Sequence, residues 1–253
     1  SEYRVMNPMY RIMKEYSSLS NRVQSKSSKA GIISVLIMDE GGEIRSRLAA
    51  AMLIFLLGNL RKEISVCIDV ASIGPPTLGE ASDVSTAILI KMVKLWMNND
   101  AKALDMVKKA PRQFQEVRDP LEYDLLLVMD RYDLQETLRE VSVLDAISPG
   151  SHYSSKVKRI SPFAAHIEVA GMTRAIPFHQ DIPDPLYFSK DVQLPCDLMA
   201  DLLDEIKMSK CSNEAQSLNK LSRDLAYCCK GVVDMLQVIH GGIPNPSGRA
   251  PLL

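Results

Sequence analysis

Ile33-Ser34-Val35-Leu36-Ile37-Met38 runs directly into Asp39-Glu40-Gly41-Gly42-Glu43-Ile44-Arg45-Ser46, and the apolar stretch Leu48 to Leu57 follows. A short, nearly continuous apolar run reads as a parallel strand covered on both faces. The stretch after it is about half the ~20 residues needed to cross a bilayer, so it reads as a buried helix and no membrane span is expected. A strand that enters a Gly-containing loop and emerges as a helix is a frame in which backbone N–H groups at the helix N-terminus hold an anion.

The same alternation continues outward from this unit. Strand-like runs at Ile64 to Val70, Asp124 to Met129 and Val157 to Ile160 are separated by helical patterns at Ser46 to Leu60, Val84 to Asn98 and Leu134 to Val141. Strands alternating with amphipathic helices predict β-α-β units in a doubly wound α/β domain, with functional loops at the carboxyl ends of the strands. A closing helix near 218 to 240 places Leu221, Leu225, Cys228, Val232 and Leu236 at steps of three or four, which puts Cys228 in the core.

Composition narrows the function classes. The chain has 253 residues, 46% hydrophobic and 24% charged, enough for one substantial core. A net charge of −1 favours neither nucleic acid nor an acidic membrane, so any charged contact is local. Nucleic acid binding through this domain is not expected: the arm and the Lys156-Val157-Lys158-Arg159 cluster lack interleaved aromatics and read as solvated charge. Five cysteines without C-x-x-C spacing favour a reducing compartment and give no metal site, and none of the four histidines has ligand-like spacing. No cofactor motif is present either, neither a Walker loop nor GxGxxG.

Three regions flank or interrupt the domain, which is read as residues 31–240. Residues 1–30 form a basic arm and linker in which Tyr3 to Tyr16 could pair Val5, Met6, Met9 and Met13 along one helix side. Residues 189–217 form a helical insertion whose Asp197, Asp201, Asp204 and Glu205 read as a solvated face, and 241–253 is a Gly/Pro-rich tail. The chain opens at Ser1 without an initiator Met, which predicts a processed or trimmed N-terminus.

The loop and its surroundings resemble the low-molecular-weight protein tyrosine phosphatases, in which a strand enters a loop of Cys, five residues, Arg and Ser. Asp39 stands at the Cys position, while Arg45 and Ser46 keep theirs. Tyr123 to Asp130 resembles the strand that ends in Met-Asp, Val143 to Gly150 resembles the loop that follows, and Ala110 to Phe114 the segment leading into the third strand. Asp184-Pro185-Leu186-Tyr187 matches the Asp-Pro-x-Tyr motif that carries the general acid. The resemblance spans roughly 32 to 188 plus the last helix and implies a four-stranded parallel sheet in the order 2-1-3-4.

It also implies a lost reaction. In that family the loop amides and the Arg surround a phosphate dianion and lower the pKa of the attacking Cys. Here Asp39, Glu40 and Glu43 bring three carboxylates into the loop, Gly41 keeps one permissive backbone position, and Gly42 replaces the Asn that braces it. A like-charge pair at 4 Å costs about 4 kcal/mol at an effective dielectric of 20, and a dianion doubles it. Half of that penalty removes two to three decades of affinity at about 1.4 kcal/mol per decade. The expected occupant of the nest is Asp39 or Glu43, paired with Arg45.

Asp39, Gly41, Arg45, Ser46, Asp184 and Tyr187 are therefore read as remnants of a phosphatase site, with no active catalytic residue and no metal. The expected function is that of a pseudophosphatase acting through protein partners in a larger complex. Two alternatives stand beside it: residual phosphatase or Asp-dependent phosphoryl transfer, and a small-ligand sensor. Degraded relatives of this kind are associated with plant chloroplasts, so the stroma is the expected location.

Overall fold

The computed structural model describes residues 32–60, 64–76, 78–148, 150–166, 181–184 and 213–239. The basic arm, nearly all of the 189–217 insertion, the tail and Tyr187 lie outside these residues.

Five strands form one parallel sheet: β1 Ile33–Asp39, β2 Val66–Ser72, β3 Arg112–Gln113, β4 Leu125–Val128 and β5 Val157–Arg159. Their order is β3-β2-β1-β4-β5. The expected order of four is present as β2-β1-β4-β5, and the correction is a fifth strand at the edge. Ala71 and Ser72 pair with Arg112 and Gln113 there, a ladder of two residues that is too short to leave a period in the sequence.

Both faces of β1 are covered, as its unbroken apolar pattern requires. Ile33, Val35 and Ile37 alternate with Leu36 and Met38, and the two sets belong to different cores. The first core takes in helices α1 Arg45–Gly58, α2 Glu80–Trp96 and α6 Asn213–Ile239, together with α3 Ala101–Lys108. The second lies under α5 Arg131–Ile147, which follows the one-turn α4 Asp119–Glu122 and β4. α1 is sandwiched, and its first nine residues are all buried, so it has no polar stripe.

α5 is longer than its sequence pattern indicates. It starts immediately after Asp130 and absorbs Val143 to Ile147, which reads as loop in the sequence. Asp145 then accepts hydrogen bonds from Tyr153 N and Ser154 N at 2.5 and 3.0 Å, fastening the next turn to the helix end.

The Lys156 cluster is likewise not solvated charge. Lys156 is buried and donates from Nζ to the Pro120 and Tyr123 carbonyls at 2.5 and 2.8 Å, while Arg159 pairs with Asp181 at 2.8 Å. Partnering explains the burial of Lys156, since an ammonium is tolerated inside only when its protons are satisfied. Among the described residues, no helix is long and apolar enough to cross a membrane.

The chain passes from β1 to β2 and β3 on one side and then returns to β4 on the other. β1 and β4 thus form the topological switch point, where a crevice opens outside the carboxyl ends of the strands.

Candidate functional site

At that crevice the carboxyl end of β1 delivers Asp39 into the loop that leads to α1. Asp39 is buried at 3% exposure, and both oxygens are engaged by its own loop. Oδ1 accepts from Gly42 N at 2.7 Å and from Ser46 Oγ at 2.8 Å, and Oδ2 accepts from Ser46 N at 3.2 Å. Ile44, the residue that precedes α1, offers no side-chain cap, and the first turn holds no acid. The Asp39 carboxylate fills this role from seven residues upstream, satisfying an orphan N–H of the helix start and meeting the positive end of its dipole.

The loop closes so tightly because of Gly42. Its φ is +68°, and a Cβ there would stand 2.7 Å from Pro111 Cβ. The permissive position is therefore Gly42; Gly41 is not among the described glycines with positive φ. Glu43 turns away from the nest toward α2, where its Oε2 accepts from Ser85 Oγ at 3.4 Å.

Arg45, also 3% exposed, is the hub. Nη1 donates to Asp130 Oδ2 at 2.7 Å and to the Ile182 carbonyl at 2.9 Å. Nη2 stands 3.5 Å from Asp133 Oδ2 and 4.0 Å from Asp184 Oδ2, and Nε is 3.8 Å from Asp39 Oδ2. Burial opposes the guanidinium charge, but Asp39, Asp133 and Asp130 outweigh it and raise the Arg45 pKa above its ordinary value. One cation thus gathers a strand end, a helix start and the 181–184 segment.

The carboxylates around it respond to the same confinement. Burial pushes the Asp39 carboxyl above the usual range, against the opposing pull of Arg45 and of the Ser46 hydrogen bonds. Burial likewise pushes Asp133 up to about 8; Arg45 pulls it back, and Asp130 and Asp39 add repulsion. Asp130 also caps α5, accepting from Tyr132 N and Asp133 N at 2.8 and 2.9 Å.

Asp130 and Asp133 are the site residues that the sequence reading did not single out as such. Their signal is an Asp-x-x-Asp at a strand-to-helix junction, where the first Asp caps the helix start. Among the expected residues, Asp39, Arg45, Ser46 and Asp184 come together, Gly41 flanks them, and Tyr187 lies outside the described residues.

The crevice above this hub is a cleft of about 850 Å³ with an apolar floor that includes Ile73, Phe114 and Ile182. Of its seventeen lining residues, eight are Asp or Glu and two are Arg. Among the described residues, no group of three or more His, Cys, Asp or Glu is placed to hold a metal ion. No described cysteine lies in the loop: Cys67 is exposed on β2, and Cys228 and Cys229 are buried in α6, where burial raises both thiol pKa values.

No protein-family model and no curated protein matches the chain. Solved structures do. A protein tyrosine phosphatase from Entamoeba histolytica, in a product-state mimic, is 15% identical over 84% of this chain and 99% of that one, with a TM-score of 0.50. A low-molecular-weight phosphotyrosine phosphatase from Vibrio cholerae O395 is 16% identical, covering 81% and 97%, with a TM-score of 0.46. A Drosophila arginine phosphatase is 16% identical, covering 79% and 96%, with a TM-score of 0.44. The chain has the α/β fold of the low-molecular-weight protein tyrosine phosphatases. At these identities the likeness speaks for the fold and leaves the chemistry to the chain's own residues.

Proposed function

We propose that the protein is a pseudophosphatase: a phosphatase fold without the reaction, kept as a rigid structural subunit that binds protein partners in a larger assembly. The observation that carries this reading is the engagement of Asp39. Its carboxylate takes the loop N–H groups that a phosphate would need, at the position where the resemblance puts the nucleophilic Cys. A dianion would have to displace it and would also face Asp130 and Asp184. At an effective dielectric of 20, each of those repulsions is worth up to about 4 kcal/mol per unit charge at 4 Å.

Apolar surface supports the partner half of the reading. Val143 and Ile147 stand one turn apart on α5 and are 55% and 72% exposed. The reading extends to the chloroplast stroma through the resemblance to degraded chloroplast relatives, and organelle fractionation tests that part.

The main test is an aryl phosphate assay together with orthovanadate titration of the intact chain. No turnover and no vanadate binding at micromolar concentration are expected. Turnover that vanishes in a folded Asp39→Asn variant would overturn the proposal in favour of an Asp-dependent phosphoryl transferase. The assembly claim is tested by the native size of the endogenous protein: a large, defined complex is expected, and a free monomer argues against it.

A further inference from the structure

We infer that the open edge of β2 pairs with the same edge of a second copy of this chain, extending the sheet across a two-fold axis at Cys67. The inference uses neither the loop nor the cleft and stands apart from the pseudophosphatase reading.

The backbone supplies the first argument. In a parallel ladder each residue turns its N–H and C=O to one side of the strand, and successive residues alternate. Ser65 O accepts from Ile33 N and Ile73 N donates to Asp39 O, so the odd-numbered residues of β2 face β1. The even-numbered residues face outward, as Ser72 shows by accepting from Phe114 N at 2.8 Å. β3 pairs with Ala71 and Ser72 alone. Among the described residues, no strand lies beside Val66 and Ile68, whose N–H and C=O groups point to the open edge. Such a row is a template for another strand.

The side chains supply the second argument. Edge strands are ordinarily blunted by lysine, proline or a bulge. Val66-Cys67-Ile68 carries no lysine or proline and runs in unbroken register with β1. Val66 and Ile68 are half-buried against the first core, and Cys67 is exposed on the opposite face. Asp69, the one charged residue of β2, is balanced by Lys109 at 2.5 Å and Arg112 at 3.4 Å, so no free charge repels a like edge.

Register selects a second copy as the occupant. Antiparallel pairing about Cys67 sets Val66 opposite the partner's Ile68 on both sides of the axis, β-branched against β-branched. Every outward N–H and C=O of these residues then meets its complement. Ser65 falls opposite the partner's Asp69, a hydroxyl against a carboxylate rather than a like charge. Self-complementarity of this kind is what an isologous dimer requires. A ladder this short buries less than the roughly 800 Å² per partner of a standard interface, so the dimer is weak and grows with concentration.

The same register gives the test. Cys67 meets its own copy as a non-hydrogen-bonded pair with Cα atoms about 4.5 Å apart, inside the roughly 4.4–6.8 Å that a disulfide spans. The full chain carrying Cys196→Ser and Cys211→Ser is oxidised with diamide, the disulfide serving only as a probe of the contact. A dimer linked through Cys67 is expected, identified by mass spectrometry of the joined peptide. Moving the thiol with Cys67→Ser and Ser65→Cys should slow linkage at least about tenfold, because position 65 faces position 69 across the axis. Sedimentation of the reduced wild type should show a monomer–dimer equilibrium. Val66→Pro should abolish it, since it removes an outward N–H and proline is tolerated at the first residue of an edge strand.

A monomer at every concentration, no linkage through Cys67, equal linkage from positions 65 and 67, or a dimer that Val66→Pro leaves intact would each overturn the inference. The thiol comparison keeps the test decisive if Val66→Pro does not fold. In a cell extract, Cys67 linking to another protein and not to its own copy would give the edge to a foreign strand and overturn the inference as well.

Discussion

Replacing Asp133 with Asn probes the electrostatics of the site through stability alone. The folded protein holds the Asp133 proton up to about pH 8, whereas the unfolded chain releases it near the ordinary value of 3.8. Because the folded-state pKa is raised, the stability linked to this group is fully present below 3.8 and is lost as pH climbs to about 8. The slope approaches about 1.4 kcal/mol per pH unit between those limits. From pH 5 to pH 8.5 the full shift corresponds to a loss of about 4 kcal/mol, and relaxation of Arg45 and the neighbouring carboxylates reduces it to at least about 2 kcal/mol. Asn keeps the shape of the neutral acid and does not titrate, so the variant lacks this slope. Urea unfolding of both proteins across that range should show Asp133→Asn gaining on the wild type by that amount as pH rises. Titrations remote from Asp133 cancel in the difference. Parallel stability curves would refute the argument, since they would mean that Asp133 is ionised in the fold like any surface carboxylate.

Asp39→Ala strips the acceptor from Gly42 N, Ser46 N and Ser46 Oγ and should cost about 2–3 kcal/mol by urea unfolding, with Asp39→Asn costing less because one acceptor survives. Arg45→Ala leaves four acidic side chains around a void and should cost more than about 3 kcal/mol, visible as a melting temperature lowered by many degrees; near-neutrality would contradict its role as hub. Gly42→Ala meets both a left-handed backbone and Pro111, so a loss of about 2–4 kcal/mol is expected, while Gly41→Ala should be far milder when the two are compared by thermal melting.

The core of the fold was legible because it rests on local patterns. The apolar run of β1, the featureless apolar α1 and the run of β4 each announce burial on every side, and such segments have few places to go except the middle of a parallel sheet. β3 was invisible for the opposite reason: two residues after a proline carry no period, and their pairing with Ala71 and Ser72 is set by tertiary contact. The α5 boundary slipped because Val143-Leu144-Asp145 is compatible with a helix end as well as a helix interior. In the loop, composition showed too many carboxylates but not which one turned inward. Asp39 did, held by Gly42 and Ser46, while Glu43 meets Ser85 on α2, 42 residues away. The convergence of Asp130 and Asp133 on Arg45 joins residues more than eighty positions apart, and Lys156 is buried only because the Pro120 and Tyr123 carbonyls wait for it.

The internal carboxylate of the loop also bears on how the loop holds its shape. A free anion holds such a nest only as well as its concentration allows, whereas Asp39 is tethered and present at an effective concentration far above that of any dissolved ion. The loop therefore keeps its shape whether the surrounding phosphate pool is full or drained. The geometry of this loop is set from within the chain, so it stands independent of the ions dissolved around it.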